Sequence, residues 1–204
     1  VIVISQSGET ADTIAAMREA KNQGLNVLAI TNVKGSTISR EADAVIYTQA
    51  GMEISVASTK AYITQLLVIY LLAIRIAQIK GQISESKASE LLAELKAIPE
   101  KAKQLLDSKE SVQRFAARRF RDKSTFFIGR GMDYALAMEA SLKLKEVSYV
   151  HSEAYAAGEL KHGTIALIED NTLVVALATQ HTLLEKTVSN IQEVKARGAF
   201  VLGV

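Results

Sequence analysis

The sequence predicts an α/β protein of two related units. Each is a parallel sheet flanked by helices, a three-layer αβα arrangement, and both units are incomplete. Three observations predict this. Short, continuously apolar and β-branched runs alternate with segments of helical periodicity, the pattern of parallel strands joined by crossover helices. The alternation is interrupted near the middle by a long helical stretch rich in Lys, Glu, Leu and Ala. Finally, residues 1–30 overlay residues 175–204 without a gap, with Gln6 on Gln180, Gly24 on Gly198 and Val27 on Val201, the mark of a duplicated unit.

Taken in order, Val1 to Ile4 reads as a strand covered on both faces. Thr10 to Gln23 reads as a helix with Ile14, Met17 and Ala20 on one face, ended by Gly24. Asn26–Thr31 is a second strand, Ser36–Ala42 a short helix and Ala44–Thr48 a third strand. Residues 51–67 form a loop feeding an apolar helix. Its core, "LLVIYLLAI" (66–74), is too short to span a bilayer, which needs roughly 20 apolar residues. It reads as a buried core or interface helix.

Residues 84–120 predict two helices packed as a hairpin or connector, with Pro99, the single proline, near a helix start. Arg114, Arg118, Arg119, Arg121 and Lys123 read as cations at a helix C-terminus rather than as a binding patch. Alternation then resumes with "STFFIG" (124–129) as strand and residues 132–149 as helix. "AYAAGELKHG" (154–163) reads as an irregular loop, "TLVVALAT" (172–179) as strand. The domain expectation is a first unit at 1–82, connecting helices at 83–119 and a second unit at 120–204. The strand-like ends suggest a piece of a longer protein.

Composition narrows the chemistry. A net charge of +2 lays down no broad basic field, so nucleic acid is not expected as a partner. The absence of cysteine excludes disulfides, thiolate catalysis and cysteine zinc sites. His151, His162 and His181 lack metal-ligand spacing, so no metal is expected. No secretory signal is visible. The expected compartment is the cytoplasm, with no membrane partner.

The loop "SQSGET" (5–10) follows the first strand and opens the first helix. Ligands of open parallel sheets sit beyond the carboxyl ends of strands. A helix start offers unpaired N–H groups and partial positive charge. Ser5, Ser7 and Thr10 add hydroxyls, and Gly8 lets backbone approach closely. These parts suit a phosphate monoester. No Walker lysine or GxGxxG accompanies them, so a nucleotide site is unsupported. The plainer reading is that Ser7 or Thr10 caps the helix, with Glu9 in its first turn. The second copy carries "TQHTLL" (179–184) instead, which argues for a function confined to the first. Ser58 and Thr59 sit at the start of the apolar helix and invite the same two readings.

Glu139, Lys143 and Glu146 share one helical face. A surface salt-bridge face is the plain reading, and an acid–base group the functional one. His162, in a loop between glycines, can serve as acid or base near neutrality.

Together, "SQSGETADT", "EISVASTKAY", "EASLKLKEVSYVHSEAYAAGELKHG" and the duplicated layout resemble the isomerase part of the glutamine–fructose-6-phosphate aminotransferase family. That part is a tandem of sugar-isomerase (SIS) domains. The resemblance implies conversion of fructose 6-phosphate and glutamine-derived ammonia to glucosamine 6-phosphate. It implies Ser5, Gln6, Ser7 and Thr10 as the phosphate loop, and Val56, Ala57 and Ser58 as a sugar-contacting segment. Glu146 would be the base moving a proton between C1 and C2, with Lys143 beside it and Glu139 a sugar-binding neighbour. His162 would open the sugar ring from the partner subunit of a homodimer. No metal or organic cofactor is implied. The family's glutaminase domain, one serine/threonine loop and a C-terminal lysine tail are not in this sequence. Two other classes remain open: a phosphosugar-sensing SIS regulator, and another SIS phosphosugar isomerase or deglycase.

Overall fold

A computed structural model describes every residue except Phe120 and Lys123. The chain divides into two compact units, Val1–Ser108 and Lys109–Val204.

The first unit is built on three parallel strands in the order β1 (Ile2–Ser5), β2 (Leu28–Thr31), β3 (Ala44–Tyr47). Ile2 pairs with Leu28, which pairs with Ala44. Helix α1 (Ala11–Asn22) links β1 to β2, and α2 (Thr37–Glu41) links β2 to β3. The expected face of α1 is realised: Met17 and Ala20 are buried with Val3, Val27, Ala29 and Ile38, and Ile14 packs against them. Burying a side chain such as Met17 contributes roughly 1.5–3 kcal/mol. β1 departs from expectation. Val3 and Ser5 are buried while Ile2 and Ile4 are exposed, so one face of this strand is open.

Helix α3 (Lys60–Ile79) departs from the buried-core alternative of its reading. Only Ala61, Val68 and Ile74 are buried, whereas Ile63, Tyr70 and Ile79 are exposed. It rests on β2 and on α4 (Glu85–Asp107) by one stripe, and the rest of its all-round apolar surface stays open. Its 20 residues are long and apolar enough to cross a membrane by length and composition, because the helix runs well beyond the apolar run read from sequence. The pair α3–α4 encloses an apolar pocket of about 420 Å³ lined by Leu66, Tyr70, Leu95 and Pro99. Pro99 lies inside α4 rather than at a helix start. A proline lacks an N–H, so α4 forgoes one ladder bond and continues. It stops at Ser108, whose N–H and Oγ both donate to the Leu105 carbonyl.

The second unit opens with α5 (Lys109–Arg119). Its parallel sheet has the order β5-β4-β6-β7, formed by β4 (Ser124–Gly129), β5 (His151–Ala156), β6 (Leu173–Ala176) and β7 (Phe200–Gly203). Helix α6 (Met132–Ser148) joins β4 to β5, and α7 (Leu184–Lys195) joins β6 to β7. Phe126, Ile128, Val174, Ala176 and Val194 form the core with Ala157, Leu160 and Ile168. Strand β5 was not expected. Half of "HSEAYA" is polar, and the strand is a sheet edge, where pairing on one side suffices. Of the arginine cluster, Arg114 faces Glu110 at 3.8 Å and Arg119 holds Asp122 and Asn171. Lys123 lies outside the described residues.

The duplication is real in topology but not gapless. β6, α7 and β7 repeat β1, α1 and β2. The loop before α7 is longer than the loop before α1 and contains a 3-10 turn, His181–Leu183. The gapless overlay set Ser5 on Thr179; by position in the sheet the end of β1 corresponds to Ala176, the end of β6.

Candidate functional site

Two centres emerge, one in each unit. In the first, β1 delivers Ser5 to the carboxyl edge of the sheet, and the loop to α1 folds around its hydroxyl. Ser5 Oγ accepts the Gly8 N–H at 3.0 Å and lies 2.9 Å from Thr10 Oγ1. Ser7 Oγ accepts the Glu9 N–H at 3.2 Å. Thr10 is the N-cap residue of α1 but makes no side-chain cap bond. The simple capping reading therefore fails at Thr10: its hydroxyl turns to Ser5, and the helix start keeps its first-turn N–H groups.

The backbone is pinned from the neighbouring strand and helix. Gln6 O accepts the Asn32 N–H, and Gly8 O accepts the Ile38 N–H. Gly8 has φ +69°, and a Cβ there would lie 2.1 Å from Ser36 Oγ, so only glycine fits. Glu9 accepts the Thr37 N–H at 2.7 Å. That backbone hydrogen bond holds the fully exposed Glu9 carboxyl below its ordinary pKa. The carboxylate is thus engaged by the start of α2. The remaining array of hydroxyls and helix-start N–H groups is suited to an oxyanion.

The segment before α3 places Val56 in full exposure and buries Ala57, with Ser58 half-buried. Neither hydroxyl caps α3. Thr59 is the N-cap residue without a side-chain cap bond. Glu53 serves instead, accepting the Ala61 N–H at 3.1 Å and the Thr59 N–H at 3.4 Å.

The second centre lies on α6. Lys143 Nζ is 2.5 Å from Glu146 Oε2 and 3.5 Å from Glu139 Oε1. The three residues meet as their spacing requires, and all are half-buried or less exposed. The Glu146 hydrogen bond, with both carboxylate charges, raises the Lys143 pKa against the opposing effect of burial. A charged ammonium between two carboxylates is held in one place. His162 ends a 3-10 turn, Leu160–His162, with an exposed imidazole. It has no side-chain contact with the α6 cluster among the described residues.

Sequence reasoning missed three polar residues of these units. Asp133 is 2% exposed and accepts from Thr179 N–H at 2.9 Å and Thr179 Oγ1 at 2.6 Å. Arg130 donates from Nε to Asn190 Oδ1 at 2.9 Å. Ser36 Oγ is buried with no partner among the described residues. Asp133 and Arg130 depend on partners far along the chain, and no local motif announces any of the three. Among the described residues no group of three His, Asp or Glu side chains could hold a metal ion.

Parallel sheets flanked by helices, with a hydroxyl-rich loop at a strand's carboxyl end, define a class. The model of the SIS domain matches residues 1–75 and 120–204, and the chain belongs to the SIS domain family. The residues between, 76–119, hold the end of α3 and all of α4 and α5. Among curated proteins the chain is 63% identical over 201 residues to glutamine–fructose-6-phosphate aminotransferase [isomerizing] of Caldanaerobacter subterraneus subsp. tengcongensis. That match covers 98% of this chain and 33% of the relative. The protein of the same name from Clostridium tetani is 59% identical over 204 residues, 100% of this chain and 34% of its own. The chain thus spans about a third of the length of these relatives. Among solved structures, the C-terminal domain of glucosamine-fructose-6-phosphate aminotransferase from Francisella tularensis superposes with a TM-score of 0.96 at 41% identity. It covers 99% of this chain and 57% of that one.

Proposed function

We propose that this chain is the isomerase part of a glutamine–fructose-6-phosphate aminotransferase, converting fructose 6-phosphate and ammonia to glucosamine 6-phosphate. The observation that carries the reading is the Lys143–Glu146 pair on α6, in a chain 63% identical to a protein of that name. In this reading residues 1–82 and 120–204 are the two SIS units and 83–119 connects them. A glutaminase domain on the same longer polypeptide supplies the ammonia. The protein works in the cytoplasm as a homodimer.

Ser5, Gln6, Ser7 and Thr10 bind the substrate phosphate, and Val56, Ala57, Ser58 and Glu139 contact the sugar. The phosphate is remote from the reacting carbons, so its binding energy fixes orientation. His162, from the partner subunit, moves the proton that opens the sugar ring. Ammonia condenses with the C2 ketone and water leaves. Glu146 then removes a proton from C1 and returns it at C2, while the O1 hydroxyl proton passes to the nitrogen, so C1 becomes an aldehyde and C2 carries an amine; one carboxylate serves both adjacent carbons. The Lys143 ammonium, kept charged by its two carboxylates, offers positive charge where negative charge develops on O1 as its proton leaves.

The test supplies glutamine and fructose 6-phosphate to the longer polypeptide and measures glucosamine 6-phosphate, with Glu146→Gln as control. Product from the parent, and binding without turnover in the variant, is the expected result. No product, with hexose phosphate binding that Ser5→Ala or Ser7→Ala weakens, would move the protein to the sensing or other-isomerase classes.

A further inference from the structure

The second unit contains a buttress that the proposed chemistry does not use. The loop 129–131, between β4 and α6, touches the turn that leads to His162 at two adjacent points. Gly129 O accepts the Ala157 N–H at 2.8 Å. Next to it, the Arg130 guanidinium packs against Gly158. A Cβ on Gly158 would stand 2.7 Å from Nη2, 3.2 Å from Cζ and 3.3 Å from Nη1. All three distances are short, so the guanidinium fills the space a Cβ would take, and a larger residue would displace it. Gly158 is not in the left-handed region of φ, so its backbone would accept a side chain; the guanidinium is what demands glycine here.

Arg130 is itself fixed. Its Nε donates to Asn190 Oδ1 on α7, Asn190 is 3% exposed, and Asn190 Nδ2 donates to Glu193. Its carbonyl accepts from Gln180 Nε2 at 2.7 Å. Beyond Gly158 the chain has few freedoms before His162. Glu159 N–H donates to Ala156 O, Leu160 is 1% exposed in the core, and His162 N–H donates to Glu159 O. The Gly158 turn therefore sets where the exposed imidazole of His162 projects.

We propose that Arg130 is a positioning residue for His162, acting through its close contact with Gly158. The inference rests on the ring-opening role proposed for His162. A rigid planar cation anchored by a buried amide holds the turn better than a flexible one. Lysine could replace its charge but not its plane.

The test uses the longer polypeptide and two rates. Ring opening is followed as anomer interconversion of fructose 6-phosphate by NMR. Proton transfer is followed as solvent exchange at C1 of an open-chain analogue. Arg130→Ala and Gly158→Ala should each slow ring opening about tenfold or more, the scale of small misplacements of a reacting group, and leave exchange near wild type. Arg130→Ala combined with His162→Ala should open the ring no more slowly than His162→Ala alone. Gly158→Ala probes the contact if Arg130→Ala fails to fold, because it keeps the arginine. Wild-type ring opening in Gly158→Ala, or equal slowing of both rates, would overturn the inference. Unchanged ring opening in His162→Ala would overturn it together with the role of His162 on which it rests.

Discussion

Lys143 and Glu146 lie one helical turn apart on α6, with Nζ 2.5 Å from Oε2, and Glu139 approaches the same ammonium at 3.5 Å from the preceding turn. The Glu146 bond raises the Lys143 pKa in the folded chain. A group whose folded pKa is raised contributes stability that is full below its unfolded value and is lost as pH rises through the folded one. The unfolded value of a lysine is about 10.4. Lys143→Met should therefore cost about 1 kcal/mol at pH 7, in the range of partly exposed pairs. The difference from wild type should shrink above roughly pH 10.4 as the lysine loses its proton. Urea unfolding of both proteins at several pH values measures this. A difference independent of pH would refute the electrostatic origin.

Gly8 faces two obstacles to substitution at once. Its φ is +69°, and a Cβ would meet Ser36 Oγ at 2.1 Å and Ser36 Cβ at 2.6 Å. Gly8→Ala should destabilise by about 1–3 kcal/mol through strain and overpacking. It should also weaken inorganic phosphate or hexose phosphate binding. Chemical denaturation and calorimetric titration read the two effects separately.

Ser36 offers the opposite case. Its buried hydroxyl has no partner among the described residues, and it makes no cap bond to α2. Replacing an unsatisfied buried hydroxyl by a methyl group removes a desolvation cost of about 1 kcal/mol or more. Ser36→Ala should raise the denaturation midpoint or leave it unchanged. A clear fall would reveal an interaction that its surroundings do not show.

Asp133 joins the first turn of α6 to the loop after β6 through both donors of Thr179. Asp133→Ala would leave two buried or partly buried donors unpaired and should cost about 2–3 kcal/mol, the range of hydrogen bonds to charged groups. Asp133→Asn keeps one acceptor and should cost less. The Thr179 amide should exchange its hydrogen faster in Asp133→Ala, which native-state exchange detects.

Much of this protein was legible in its sequence because the deciding interactions are local. Helical geometry alone brings residues 139, 143 and 146 to one face, and the structure pairs them. The apolar face of α1 follows from Ile14, Met17 and Ala20 in the same way. A hydroxyl-rich loop between a strand and a helix places Ser5, Ser7 and Thr10 at the carboxyl edge of a parallel sheet before any coordinate is known. Contacts across many residues were not legible. Whether Thr10 caps its own helix or turns to Ser5 depends on how the loop is pinned by Asn32 and Ile38. The open side of α3 depends on which of its faces meets β2 and α4. "HSEAYA" becomes a strand because β4 presents an edge to it. Asp133 finds Thr179, and Arg130 finds Asn190, only after folding. Local periodicity and turn chemistry are written into neighbouring residues. The burial of a charge, the partner of a hydroxyl and the close fit of a guanidinium against a glycine arise from packing that brings distant segments together, and tertiary structure alone decided them.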